Sequence, residues 1–286
     1  MSIGDAINVM KASLPGNLIV RGAIRLLCLL SAVNAAAQLD TAMTPEIESL
    51  AGSVAGRPGD ANMVVVNPGA AAYSAAPSLQ LSSTPSPLGI PGLVESAIVA
   101  AMRLSDHQRA AIALSTYGES RYVEGTLSIS FATFLTADFS AGTTVHGHLI
   151  ATSGYPPITT ASADLGALAR IGDRLRLGVS ISNLLRPVAG GHALPQSLRV
   201  GIAADLDSAT IISADLLQTP GREPSVSVGL SHVPSESWMV RGGFATEPVV
   251  LAGGFGVAIG SMCVELAASW SVGIGMRETG GVVVRW

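Results

Sequence analysis

Two histidines, His146 and His148, stand two residues apart in a stretch that alternates apolar and polar side chains. Alternation places both rings on one face of a β-strand, where they could share a metal ion. A metal site needs further ligands, and the surrounding sequence supplies no third one. The pair therefore reads as polar wall or rim, and neither a metal nor another cofactor is expected. No Gly-rich phosphate loop, paired cysteines or Gly-x-Ser-x-Gly motif is present. No residue is assigned a catalytic role, and the chain is not read as an enzyme. Its net charge is −4 and it has no basic patch, which speaks against nucleic acid as a partner.

The remaining chemistry lies in charges that share a strand face with Ser, Thr and Gly. Period-two alternation puts Glu95, Arg103, Glu124, Asp138, Asp164, Arg170, Arg174, Arg176, Arg199, Asp205, Asp215, Arg241, Glu265 and Arg285 opposite the apolar residues of their segments. The clearest case is the stretch 174–205. Leu175, Leu177, Val179 and Ile181 alternate with Arg174, Arg176, Gly178 and Ser180; after a Gly- and Pro-rich connection, Leu198, Val200, Ile202 and Ala204 alternate with Arg199, Gly201, Ala203 and Asp205. An apolar face of this kind goes either into a protein core or into lipid.

Composition decides between them. The chain is 48% hydrophobic but only 13% charged, against about 25% charged in ordinary soluble domains. The polar faces are too poor in charge, and above all in Lys, for a water-exposed exterior. No long uncharged apolar run suits a membrane helix. Many short alternating segments, about fourteen of them and so an even number, fit an antiparallel transmembrane β-barrel with an apolar outside and a small-polar inside. The fourteen charges then face the lumen, since an Arg facing lipid at mid-depth costs about 2–4 kcal/mol. They act either as mutual pairs that hold the barrel together or as the lining of a conduit.

Connections divide by length. Pro85–Pro91, Thr152–Thr160, Leu185–Pro195 and Gln218–Pro224 fall on one end, whereas Ser105–His107, Gly172–Asp173, Leu206–Ser208 and Gly260–Ser261 fall on the other. This is the asymmetry of outer-membrane barrels, with short periplasmic turns and longer outer loops. Two connections fit poorly: Glu247-Pro248 is short for the outer end, and Val233–Ser237 is long for the periplasmic end. Trp238, Trp270 and Trp286 lie on the apolar face and suit the membrane interface. The apolar stretch Ala23–Val33, followed by Ala35-x-Ala37, reads as a signal peptide over residues 1–37. Residues 38–77 form an N-terminal segment, residues 78–286 the barrel, and the expected partner is the lipid bilayer of the outer membrane.

Asn67-Pro68-Gly69-Ala70 resembles the Asn-Pro-Ala segment of the PorV/PorQ family, itself similar to the fatty-acid-transporter barrels. Asp164-Leu165-Gly166, the run Arg174–Leu184 with Asn183, and Leu194-Pro195–Ala203 are similar to the middle of that family; Gly69 departs from its usual Ala. The resemblance implies a fourteen-stranded outer-membrane barrel whose N-terminal segment, with Asn67, Pro68 and Gly69, plugs the lumen. It also implies a part in protein secretion or surface attachment of the type IX kind, with exported cargo proteins or secretion-machinery subunits as partners. A conduit for small hydrophobic molecules and a purely structural barrel are the alternatives.

Overall fold

A computed structural model describes residues 44–59, 61–74 and 76–286; the expected signal peptide lies outside them. The chain forms strands β1 (Ser78–Pro85), β2 (Val94–Arg103), β3 (Gln108–Glu119), β4 (Tyr122–Thr136), β5 (Phe139–Thr152), β6 (Ile158–Ile171), β7 (Leu175–Ser182), β8 (Val188–Ala189), β9 (His192–Ala193), β10 (Ser197–Asp205), β11 (Thr210–Gln218), β12 (Ser225–Ser235), β13 (Trp238–Thr246), β14 (Val249–Ile259), β15 (Met262–Ser271) and β16 (Gly275–Arg285). Fourteen of these, all but β8 and β9, pair antiparallel in chain order, β7 with β10 across the β8–β9 ribbon, and β16 returns to β1 to close a barrel. Closure leaves no unpaired strand edge, which a backbone surrounded by lipid requires. No helix among the described residues is long and apolar enough to cross a membrane.

Alternation fixes inside and outside. On β4, Ile129 is 59% exposed, whereas its neighbours Ser128 and Ser130 are each 3% exposed. The same pattern turns Leu81, Ile98, Leu114, Val145, Leu165 and Leu266 outward into a continuous apolar belt. Left in water, such a belt would be an extreme exposed patch; its complement is lipid. Trp238 and Trp286 mark one margin and Trp270 the other, all outward and exposed.

Short turns 104–107, 137–138, 172–174, 206–209, 236–237 and 260–261 gather at one end. The connections of the opposite end include 86–93, 153–157, 183–196 and 219–224. The long turn expected at Val233–Ser237 is absent. β12 continues to Ser235 through a register shift after His232, so the link shrinks to Glu236 and Ser237 and the misfit disappears. Glu247-Pro248 remains a tight link at the long-loop end. The connection 183–196 is more than a loop. It carries the ribbon β8–β9, whose turn uses Gly190 and Gly191 at φ 57° and 86°, a left-handed conformation that suits glycine.

The N-terminal segment lies inside the ring. Helix α1 (Pro45–Ser49) packs on β13–β16, and the 3-10 turn Pro68–Tyr73 packs on β3–β7, so the segment reaches opposite walls. Between them Met63, Val64, Ala70 and Ala72 meet inward Val99, Ala113 and Leu168 in a small apolar core.

Candidate functional site in the plugged lumen

The plug is seated by its backbone. Asn67 is fully buried, and its side-chain amide donates to the carbonyls of Ala55 at 2.7 Å and Ala167 at 3.0 Å. Its Oδ1 accepts from Gly69 N–H at 3.1 Å, which caps the 3-10 turn while Pro68 occupies the first position, where no N–H is needed. Ser140 Oγ donates to the Gly69 carbonyl at 2.8 Å. The wall leaves room because Gly142 and Gly166 face the turn. A Cβ on Gly142 would stand 2.6 Å from the Pro68 carbonyl carbon, and a Cβ on Gly69 would stand as close to Ala167 Cα. The Asn-Pro-Gly motif is therefore a docking element, and the Gly at its third position is demanded by the barrel wall.

The same device recurs around the ring. Gly178 and Gly201 admit Ala55 and Gly56, Gly243 admits Leu50 and Ala51, Gly254 admits Ser49, and Gly281 admits Pro45. Each is an inward position of its strand, and together they form a track on which the plug lies. Asp215 accepts Val54 N–H at 3.0 Å and Ala55 N–H at 2.9 Å, and Arg199 both neutralises it at 3.6 Å and donates to the Gly52 carbonyl at 2.7 Å.

Charge latches the helix end. Glu46 lies 3.9 Å from Arg241 and 3.7 Å from Arg57, and it accepts from Asn62 Nδ2 at 2.9 Å. Burial alone would push the Glu46 carboxyl up, but Arg241 and Arg57 outweigh it and hold it below the usual carboxylate range. Glu48 meets Arg277 at 3.3 Å and accepts from Ser269, and Arg277 also binds Glu95 at 2.7 Å. Arg241 is shared with Glu265 at 3.1 Å.

Of the charges expected in the lumen, Glu95, Glu124, Asp164, Arg176, Arg199, Asp205, Asp215, Arg241, Glu265 and Arg285 point inward and are buried or half-buried. They are brought together mostly as pairs, Arg176 with Asp205 and Asp164 with His146 among them. Four depart from the expectation. Arg103, Asp138, Arg170 and Arg174 are exposed at the short-turn end, beyond the plug, where Arg103 pairs with Asp106 and Arg170 with Asp138 at 2.7 Å. Parity is right for the strand but does not say where the lumen ends. Glu46, Glu48, Arg57 and Arg277 escape the sequence reading. The first three lie in a segment without a clean period; Arg277 sits on β16 next to the turn 272–274 and shares inward parity with Thr279, Gly281 and Arg285.

The two histidines are wall residues. Their rings stack at 5.7 Å, His146 donor and acceptor atoms meet Ser128 Oγ at 2.8 Å and Asp164 at 3.2 Å, and His148 meets Thr126 at 2.9 Å and Ser162 at 2.8 Å. Among the described residues no three potential ligands converge on a metal position. Toward the long-loop end, Thr84 bonds Thr279 at 2.7 Å and Tyr122 donates to Glu124. The interior there is lined by hydroxyls and paired charges. At its mouth Tyr155, Leu185 and Val188 are strongly exposed, with Gly190 of the ribbon lying against Ile158.

No protein-family model matches the chain, and no curated protein matches it. Solved structures do. The Ralstonia pickettii toluene transporter TbuX matches with a TM-score of 0.66 at 12% identity, over 87% of this chain and 99% of that one. The fold is FadL-like. CymD, a monoaromatic hydrocarbon channel, matches with a TM-score of 0.67 at 11% identity, over 85% of this chain and 97% of that one. A Pseudomonas aeruginosa FadL homologue matches at 0.59 and 12% identity, over 84% and 96%. This agreement supports the fatty-acid-transporter-like side of the sequence resemblance as a fold. It gives no support to the narrower PorV/PorQ assignment or to type IX secretion.

Proposed function

We propose that this FadL-like barrel is a plugged conduit that passes small hydrophobic molecules across the outer membrane. The observation that carries the reading is a lumen crossed by the chain's own segments 44–59 and 61–74, held to the wall by hydrogen bonds and ion pairs that can be undone. A scaffold has no need of a displaceable stopper. Two further features support it. The compared structures are described as transporters and channels of toluene and monoaromatic hydrocarbons. The mouth carries exposed Tyr155, Leu185 and Val188, apolar side chains on neighbouring loops that can collect such molecules from water.

Uptake into proteoliposomes tests the proposal. Toluene should accumulate faster than in protein-free vesicles, while sucrose should not. Equal toluene rates with and without protein would refute it. The secretion reading keeps one observation, the protruding ribbon with exposed Leu185 and Val188. It predicts that exported proteins co-purify with the barrel and are lost when 186–192 is shortened. Two of the other links at that end, 120–121 and 247–248, are only two residues long.

A further inference from the structure

The apolar belt of the outer wall is broken by small residues on β13–β16. Cross-strand pairing aligns outward Gly242, Gly253, Ala268 and Glu278 on β13–β16, and one row deeper it aligns Leu266, Gly280 and Ser83. Val240 and Phe255 continue the deeper row. Bulky residues flank the two rows: Phe244, Leu251, Trp270 and Met276 toward the long-loop end, and Val257, Val264, Val282 and Leu81 on the other side. The small residues leave a groove of about 1140 Å³ in the lipid-facing surface, bordered by Gly253, Phe255, Leu266, Ala268, Glu278 and Gly280. The inward-pointing Arg241, Glu265 and Thr279 also reach it where the wall is thin, but no residue of the plug does, and the outward Leu81, Val240, Val264 and Val282 complete its border on the lipid side.

Glu278 is the unexpected member. It shares the outward parity of Met276, Gly280 and Val282 and is exposed. Its register partner is Ala268, two residues inside the Trp270–Met276 row. At about 3.4 Å per residue on strands tilted 35–45°, this places the carboxylate about 5 Å below the interfacial aromatic level. Among the described residues nothing hydrogen-bonds or pairs with it, and no other strand turns a carboxylate into the belt. A charge kept at this depth without a protein partner calls for an external one.

We propose that the groove seats a membrane lipid with an amine headgroup. The ammonium pairs with Glu278, and an acyl chain runs down over Gly280 between Leu266 and Leu81. Charge complementarity selects the amine, and the level of Glu278 matches that of a headgroup. A second copy of the chain fits less well: no described strand turns an Arg or Lys into the belt to meet Glu278, and the floor lies between bulky rows on a convex wall. The inference does not depend on what the lumen carries.

The full chain, reconstituted in equimolar phosphatidylethanolamine and phosphatidylglycerol vesicles and re-extracted in mild detergent, tests it through the co-purified lipids counted by mass spectrometry. The retained pool should be enriched in phosphatidylethanolamine about fivefold, the ratio for about 1 kcal/mol of preferential pairing. Glu278→Gln should bring the ratio back to that of the bulk. Gly253→Leu, a lipid-facing change that fills the groove and keeps the charge, should reduce total retained lipid. Equal ratios in wild type and Glu278→Gln would overturn the proposal. So would concentration-dependent dimers that disappear in Glu278→Gln, which would assign the groove to a second copy.

Discussion

Arg241 serves two carboxylates at once, Glu46 on the plug and Glu265 on its own barrel. All three are buried or nearly so, and removal of the shared cation leaves Glu265 without its ion pair and Glu46 with Arg57 alone, in a medium that solvates charge poorly. Arg241→Met is therefore expected to destabilise the folded barrel by about 3–5 kcal/mol in urea unfolding from lipid. Arg241→Met combined with Glu265→Gln should recover part of that loss, because one stranded charge is gone. A loss below about 1 kcal/mol in the single variant would mean that water reaches the site and the latch is weak. The glycine track makes a different kind of prediction. Gly142→Val puts a side chain where the Pro68 carbonyl lies, so the plug must lift while the strands, paired through their backbones, stay closed. Limited proteolysis should then cut within 44–74 faster than in wild type, with the heat-modifiable gel mobility of the barrel unchanged. Unaltered cleavage would show that the track is not what seats the plug.

At the scale of elements, α1 is too short to be stable alone and owes its place to the wall it touches. Its acid Glu46 has a carboxyl held below the ordinary value of 4.5. A depressed folded value means that this contribution is fully present above the unfolded carboxylate range, near pH 4.3, and is lost as pH falls through the lower folded value. The part of plug protection that Glu46 contributes should thus be flat from neutral pH down to about pH 5 and be lost only in stronger acid; the difference between wild type and Glu46→Gln in proteolysis of 44–74 by an acid-tolerant protease across that range would show it. Protection lost already near pH 6 would contradict the assignment. The strands were legible because lipid on one side and a crowded lumen on the other impose period two on each of them, as at Ser128, Ile129 and Ser130. The plug was not legible in this way. Asn67-Pro68-Gly69 stood out as a break, but the partners that explain it, Gly142, Gly166 and Ser140, lie on other strands and read locally as small polar filler. The ribbon β8–β9 was hidden in a Gly- and Pro-rich stretch, and the exposure of Arg103 and Arg170 depends on where the plug ends, which no local pattern encodes.

For the molecule as a whole, the question is whether the plug must move for anything to pass. The wall is a closed hydrogen-bonded ring with a lipid-facing belt outside, and segment 44–74 spans from α1 on β13–β16 to the 3-10 turn on β3–β7. If molecules pass through the lumen, as proposed, this segment has to act as the gate. Ser53 on the plug and Ser213 on β11 are buried, with their Oγ atoms 3.1 Å apart. Cysteines at the two positions are placed to form a disulfide with little backbone change, and the only other described cysteine, Cys263, is buried elsewhere on the wall. If the plug moves during transport, Ser53→Cys combined with Ser213→Cys should take up toluene at the wild-type rate when reduced and at the protein-free rate when oxidised, with reductant restoring uptake in the same vesicles. Wild type should respond to neither reagent. Undiminished uptake through the oxidised, cross-linked protein would show that the route does not pass the plug, and would return the apolar face of the wall itself as the path by which a hydrophobic molecule crosses.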